Sequence, residues 1–155
     1  MSETPGKQPE TTEADLGQLA AQRLTKLNAL IAKGIDPYPV RFSNKEDIAQ
    51  IRRVHFGENN ELTPEESVAP VAAAGRVVAI RDMGKAQFLQ IQDQSGRIQL
   101  YAGNKTLNEN DYFVLRQLDL GDIIGIRGKP FRTKTGEPSI HADELTMLAK
   151  NLHPL

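Results

Sequence analysis

Residues 75–102 read GRVVAIRDMGKAQFLQIQDQSGRIQLYA, and their alternation of apolar and polar side chains constrains the fold more than any other feature of the chain. In Phe88-Leu89-Gln90-Ile91-Gln92, Leu89 and Ile91 fall on one face of a strand, which puts Phe88, Gln90 and Gln92 on the other. Asp93, Gln94, Ser95 and Gly96 are turn formers; after them Ile98, Leu100 and Ala102 point inward, and Arg97, Gln99 and Tyr101 outward. Phe88 and Gln99 are therefore expected on one exposed face of neighbouring strands. A ring on a solvent face is a burden unless something covers it. Nucleobases are one cover, because stacking contributes roughly 1–3 kcal/mol per base, and amides beside the ring can read a base edge. A loop or the preceding helices packed over Phe88 would also serve, and parity does not choose between them.

Composition bounds the alternatives. With 155 residues, 39% of them hydrophobic, the chain can bury one core and a smaller appendage, not two large domains. The lack of cysteine excludes disulfides and thiolate metal sites and suits a cytoplasmic protein. No apolar run approaches the roughly 20 residues of a membrane-spanning helix. The N-terminus, MSETPGKQPETTEAD, lacks the basic-then-apolar order of a signal peptide, and residues 1–14 read as a disordered polar leader. The net charge of −1 conceals an uneven distribution: residues 71–135 carry 10 Lys/Arg against 6 Asp/Glu, while the flanking segments are net −3 and −2. That excess can attract phosphates locally but is too small to hold long duplexes without regard to sequence, and a solvated face could carry it equally.

Residues 15–69 read as a helical appendage with a loop. From Asp15, an acceptable N-cap, Leu16, Leu19, Ala20, Leu24, Leu27, Leu30 and Ile31 recur at helical spacing until Gly34 ends the run, and packing on the following domain is the expected use of that stripe. Pro37 and Pro39 enforce an extended stretch. Ser43 and Glu46 form a capping box for a shorter helix bearing Ile48, Ile51 and Val54. Residues 57–70 are loop.

From residue 70 to the end the pattern is that of a barrel. Residues 71–80 form a strand with Gly75 where it must bend to serve both halves of a closed sheet. The hairpin already described supplies two more strands, and residues 107–118 a short helix. Residues 122–131 are a fourth strand with Ile124 and Ile126 inward and Arg127 and Lys129 outward. A tip, Thr133-Lys134-Thr135-Gly136, leads to a fifth strand at residues 137–148, whose parity shift predicts a bulge near Asp143. The fold class is therefore mainly β with helices: a five-stranded OB-fold barrel preceded by a helical appendage. In that fold the second and third strands usually bind oligonucleotides.

The stretches GRVVAIRDMGKAQFLQIQDQSGRIQLY and LDLGDIIGIRGKPFRTKTGEPSIHADELTMLAKNLHPL, with the exit GIDPYPVRF of the leading helix, resemble the N-terminal anticodon-binding domain of bacterial-type class II lysyl-tRNA synthetases from about Leu16 onward. The resemblance implies a tRNA partner with the lysine anticodon. Phe88 would stack on its middle uridine, Arg81 and Gln99 would hydrogen-bond that base or its neighbours, and Glu137 would accept from a uracil donor. Lys85, Arg97, Arg127, Lys129 and Lys134 are candidates for phosphate contacts, where a point charge suffices. Plainer readings stand beside these: Arg81 pairing with Asp82, Gln99 as a solvated strand residue, Glu137 as a strand start. The resemblance also implies a parent enzyme that is a homodimer and uses ATP and magnesium in a catalytic domain. Nothing in this chain offers the arginines and glycine-rich stretch that would hold ATP, so no catalytic residue and no cofactor are expected of it.

Other constellations are weak. His55, His141 and His153 lack ligand-like spacing, so no metal site is expected; His141, on an outward position, could touch RNA or be structural. Asp82 with Asp93, or Asp143 with Glu144, are explained by turns and edges. Two further functions remain open on the residues: a stand-alone binder of single-stranded nucleic acid that does not discriminate bases, and a protein-interaction or oligomerisation module.

Overall fold

A computed structural model describes residues 13–37, 42, 45–56 and 70–152. Most of the polar leader, the expected capping residue Ser43, Pro39, the loop at 57–69 and His153 lie outside the described residues. Five strands, β1 (Val71–Asp82), β2 (Ala86–Gln92), β3 (Arg97–Gly103), β4 (Ile123–Arg132) and β5 (Pro138–Ala149), close into a barrel in the order β1-β2-β3-β5-β4. Leu89, Ile91, Ile98, Leu100, Ile124, Ile126 and Ile140 fill its interior, all at most 1% exposed, so the inward parity expected of the hairpin and of the fourth strand is realised.

β1 is two residues longer than expected because it serves two partners: residues 71–76 pair with β4 and residues 76–82 with β2. At the changeover, a Cβ on Gly75 would lie 2.8 Å from the Gln92 carbonyl oxygen, so only glycine fits the bend. β5 carries the expected bulge. Its register against β4 jumps from Arg127↔Glu144 to Gly128↔Ala142, leaving Asp143 without a partner.

Three helices accompany the barrel: α1 (Glu13–Ala32), α2 (Ile48–Phe56) and α3 (Glu109–Arg116). Asp15 lies inside α1 rather than capping it. Gly34 does end the run: at φ 82° its N–H donates to Ile31 O and the Ile35 N–H to Leu30 O, the paired bonds of a Schellman cap. Of the apolar stripe, Leu27 and Leu30 are buried, whereas Leu16, Leu19, Leu24 and Ile31 are 42–55% exposed. The helix thus packs through its C-terminal half only. α2 buries Ile48, Ile51 and Phe56 but exposes Val54. Its N-terminus is capped from the β2–β3 turn, 45 residues away: Asp93 Oδ2 accepts the Ile48 N–H and Ser95 Oγ the Ala49 N–H, each at 3.0 Å. Burial works to raise the Asp93 carboxyl, but donors from Ser95, Ile48 and Gly96 outweigh it and hold it below the ordinary aspartate value. α3 is shorter than the expected 107–118 because Asn108 caps it, accepting the Asp111 N–H at 2.7 Å.

A largely buried ionic cluster ties α1 to the α3–β4 loop and the residues that follow β5. Lys150, its side chain fully buried, donates to Asp119 and Asp122 at 2.7 Å each and to Gln117 O at 3.0 Å. Lys26 of α1 reaches Asp119 at 2.7 Å, and Arg23 donates to the carbonyls of Leu120 and Asn151 at 3.1 Å.

Candidate nucleic-acid interface

Strand register builds the site as two adjacent rows across the barrel surface. The first runs Arg81 (β1), Phe88 (β2), Tyr101 (β3), His141 (β5), Lys129 (β4), each paired with the next. The second runs Ala79, Gln90, Gln99, Ser139, Phe131 on the same strands. With strands about 4.8 Å apart, each row spans roughly 19 Å along the sheet. One row is therefore three rings between two cations, and the other sets two amides beside them. All of these except Ser139, buried beneath, line an open groove of about 970 Å³, walled on one side by Thr133, Lys134, Thr135 and Glu137 of the β4–β5 tip.

The rings touch one another. Phe88 and Tyr101 have centroids 5.1 Å apart at 60°, Tyr101 and His141 stack at 5.2 Å and 30°, and Phe131 meets His141 edge-on at 5.9 Å. Each ring is half-buried, and no residue of α1 or α2 lines the groove. Phe88 thus keeps an accessible face, and of the covers considered for it, packed helices are not the one found among the described residues.

Polar contacts orient the readers. Gln99 Nε2 donates to Ser139 Oγ at 3.2 Å, and Ser139 Oγ donates to the Glu137 carbonyl at 3.2 Å, a chain that ties Gln99 to the start of β5. The tip is braced by Gly136 N–H to Thr133 O at 2.9 Å, Glu137 N–H to Thr133 Oγ1 at 3.1 Å, and Arg132 Nη1 to Gly136 O at 2.7 Å. Arg132 also lies over the Phe56 ring at 5.4 Å, so α2 supports the tip from behind.

The four residues expected to read bases, Phe88, Arg81, Gln99 and Glu137, are brought together on this groove. Arg81 is not paired with Asp82. That carboxylate accepts from the Gly84 N–H at 2.8 Å and from Arg116 at 3.2 Å, contacts that lower its pKa. The phosphate candidates divide. Lys129 and Lys134 line the groove, but Lys85, Arg97 and Arg127 do not. Lys85 belongs to the β1–β2 turn; Arg97 donates twice to Gln92 Oε1, at 2.7 and 3.2 Å; Arg127 pairs with Glu144 at 3.5 Å and lies over the Phe42 ring at 4.7 Å. Outward parity was right for Arg97 and Arg127, yet a closed barrel has outward faces all round and the groove occupies one.

Phe131 and Arg132 are groove residues that the sequence did not assign; Gln90 it placed on the outward face without a role, and for His141 it left RNA contact and a structural role open. His141 joins Tyr101 only through the parallel pairing of β3 with β5, a contact across 40 residues. The alternation Ser139-Ile140-His141 was the available signal. Among the described residues no group of histidines and carboxylates could hold a metal ion, and no helix is long and apolar enough to cross a membrane.

Residues 71–148 match the tRNA anticodon family, described as an OB-fold nucleic acid binding domain. The chain is 43% identical over 137 residues to a lysine–tRNA ligase of Moorella thermoacetica, covering 88% of this chain and 26% of the relative. It is 40% identical over 133 residues to one of Streptococcus suis (86% and 27%) and 38% over 137 residues to one of Dehalococcoides mccartyi (88% and 27%). The chain thus spans about a quarter of the length of these curated relatives. Because the match runs over all five strands, including every strand that lines the groove, the chain belongs to the tRNA anticodon family of OB-fold nucleic acid binding domains.

Proposed function

We propose that the groove binds the anticodon loop of lysine tRNA and reads its uridines, with the middle base stacked on Phe88. The observation that carries the reading is the ring row with a cation at each end beside a row of amides. Such a surface stacks bases, holds their phosphates and reaches their edges at once. Uracil presents an N3–H donor between two carbonyl acceptors. Glu137 can accept that proton, and Arg81 and Gln99 can donate to the carbonyls. Cytosine carries a lone pair at N3, so it would leave the carboxylate unpaired at a cost of about 1–3 kcal/mol. In a longer protein built like the relatives, this domain would select the tRNA for an ATP- and magnesium-dependent lysine–tRNA ligase, working in the cytoplasm as a homodimer.

A fluorescence titration of anticodon stem-loops tests this. A UUU loop should bind at least tenfold, about 1.4 kcal/mol, more tightly than one with the middle uridine changed to cytidine. Glu137→Ala should erase that preference, and Phe88→Ala should weaken binding roughly 5- to 150-fold. Equal affinity for both loops with steep salt dependence would point to a binder without base choice. No binding would point to an interaction module.

A further inference from the structure

The peptide that joins Gly136 to Glu137 is held at both ends. Its carbonyl accepts from Arg132 Nη1 at 2.7 Å, and its N–H donates to Thr133 Oγ1 at 3.1 Å. Gly136 sits at φ 89°, and a Cβ there would meet nothing within 4 Å, so no packing restrains the turn at that residue. Rotation of the peptide changes φ of Glu137 and with it the direction of the Glu137 side chain. Arg132 is fixed from behind the tip. Its guanidinium lies over the Phe56 ring at 5.4 Å, and its Nη2 is buried and makes no hydrogen bond among the described residues. Phe56 is fully buried at the C-terminal end of α2, whose other end is bonded to Asp93 and Ser95 of the β2–β3 turn. A chain of contacts thus runs from the core through Phe56 and Arg132 to the peptide in front of Glu137, itself exposed.

We infer that Arg132 is a positioning residue for base choice: stacked on Phe56 and bonded to the Gly136 carbonyl, it holds the peptide that aims the Glu137 carboxylate. This rests on the proposed anticodon reading, in which Glu137 separates uridine from cytidine, and it makes α2 part of the recognition apparatus although no residue of α2 lines the groove. Thr133 holds only the N–H end of the peptide, so loss of Arg132 frees the carbonyl end. A carboxylate that samples several directions meets the uracil N3–H only part of the time, and against cytosine it can turn to water instead of staying unpaired. Both effects shrink the difference between the two bases. Stacking on Phe88, which belongs to another strand, is untouched.

Anticodon stem-loops UUU and UCU are titrated against the wild type, Arg132→Met, Arg132→Lys, Phe56→Leu, Glu137→Ala and the Arg132→Met/Glu137→Ala pair, each first shown to be folded by circular dichroism. Methionine keeps length and apolar contact but removes the donor; lysine keeps a donor and a cation over the ring. The wild-type preference of at least about tenfold should fall below about threefold in Arg132→Met, stay within about twofold of wild type in Arg132→Lys, and take an intermediate value in Phe56→Leu. The pair should match Glu137→Ala alone within about twofold on both loops, because the arginine acts through the carboxylate. Equal losses on both loops in Arg132→Met, with the salt slope lowered by about 0.7, would make Arg132 a phosphate contact and overturn the positioning role. A preference that survives in Arg132→Met overturns that role alone, and one unchanged in Phe56→Leu removes α2 from it. A wild type that binds both loops equally, or neither, overturns the anticodon reading and the role together.

Discussion

The Lys150 cluster and the groove handle charge in opposite ways. At Lys150, five charged side chains from α1, the α3–β4 loop and the end of β5 are drawn together, and the ammonium spends all three donors on fixed acceptors. In the groove, Arg81, Lys129, Lys134 and Glu137 make no ion pair among the described residues, and rings remain half-exposed beside them. Charges satisfied internally fix geometry and have nothing left to offer a ligand. Unpaired charges next to uncovered rings contribute little to folding and are available for binding. The two regions separate stability from recognition, so each should be alterable without the other.

The largest effect is expected from Lys150→Met. It strands the fully buried Asp122 and should lower the unfolding free energy by about 3–5 kcal/mol in urea titration at neutral pH. RNA affinity of the folded protein should stay within about twofold; a large affinity loss would break the separation.

A smaller effect is expected from acid. Burial works to raise the Asp119 carboxyl, but the bonds from Lys150 and Lys26 outweigh it and hold it below the ordinary aspartate value. A carboxyl depressed by folding stabilises the native state above its unfolded value, near pH 4, and loses that contribution as pH falls through the folded value. Asp119→Asn should therefore cost about 1–2 kcal/mol at pH 6, allowing for its partial exposure, and progressively less as the pH is lowered below about 4. A loss that does not change with pH would show that packing, not charge, is at work.

The smallest effects sharpen the groove's outline. Lys129→Ala and Lys134→Ala should each reduce the slope of log affinity against log salt by about 0.7. Arg97→Ala and Arg127→Ala should leave it unchanged, because both lie off the groove. A slope that moves with Arg97 instead would mean the RNA path crosses the β2–β3 turn.

The division of the phosphate candidates shows how far the sequence could be read. Alternation identified outward residues of β2, β3 and β4, including Phe88, Gln99 and Lys129, because side chains reverse face at each step regardless of what lies beside the strand. It could not say which outward residues share one groove. Arg97 and Lys129 look alike in sequence, yet one is absorbed by Gln92 and the other faces the site. The same limit explains α2. Local rules sought a cap at Ser43, whereas the described contacts to the first helical amides come from Asp93 and Ser95.

By itself the sequence determined the strands, the inward faces of β2, β3 and β4, the bulge at Asp143, the bend at Gly75 and the helix stop at Gly34. Each of these depends on backbone geometry within a few residues, where local sterics and periodicity suffice. Only the tertiary structure decided that His141 stacks on Tyr101, that Ser139 links Gln99 to Glu137, that Lys150 holds α1 to the barrel's end, and that half of the α1 stripe stays uncovered. These depend on which distant strand becomes a neighbour when the barrel closes. The parallel β3–β5 pairing that sets the first two joins segments some 40 residues apart and leaves no periodic mark in either.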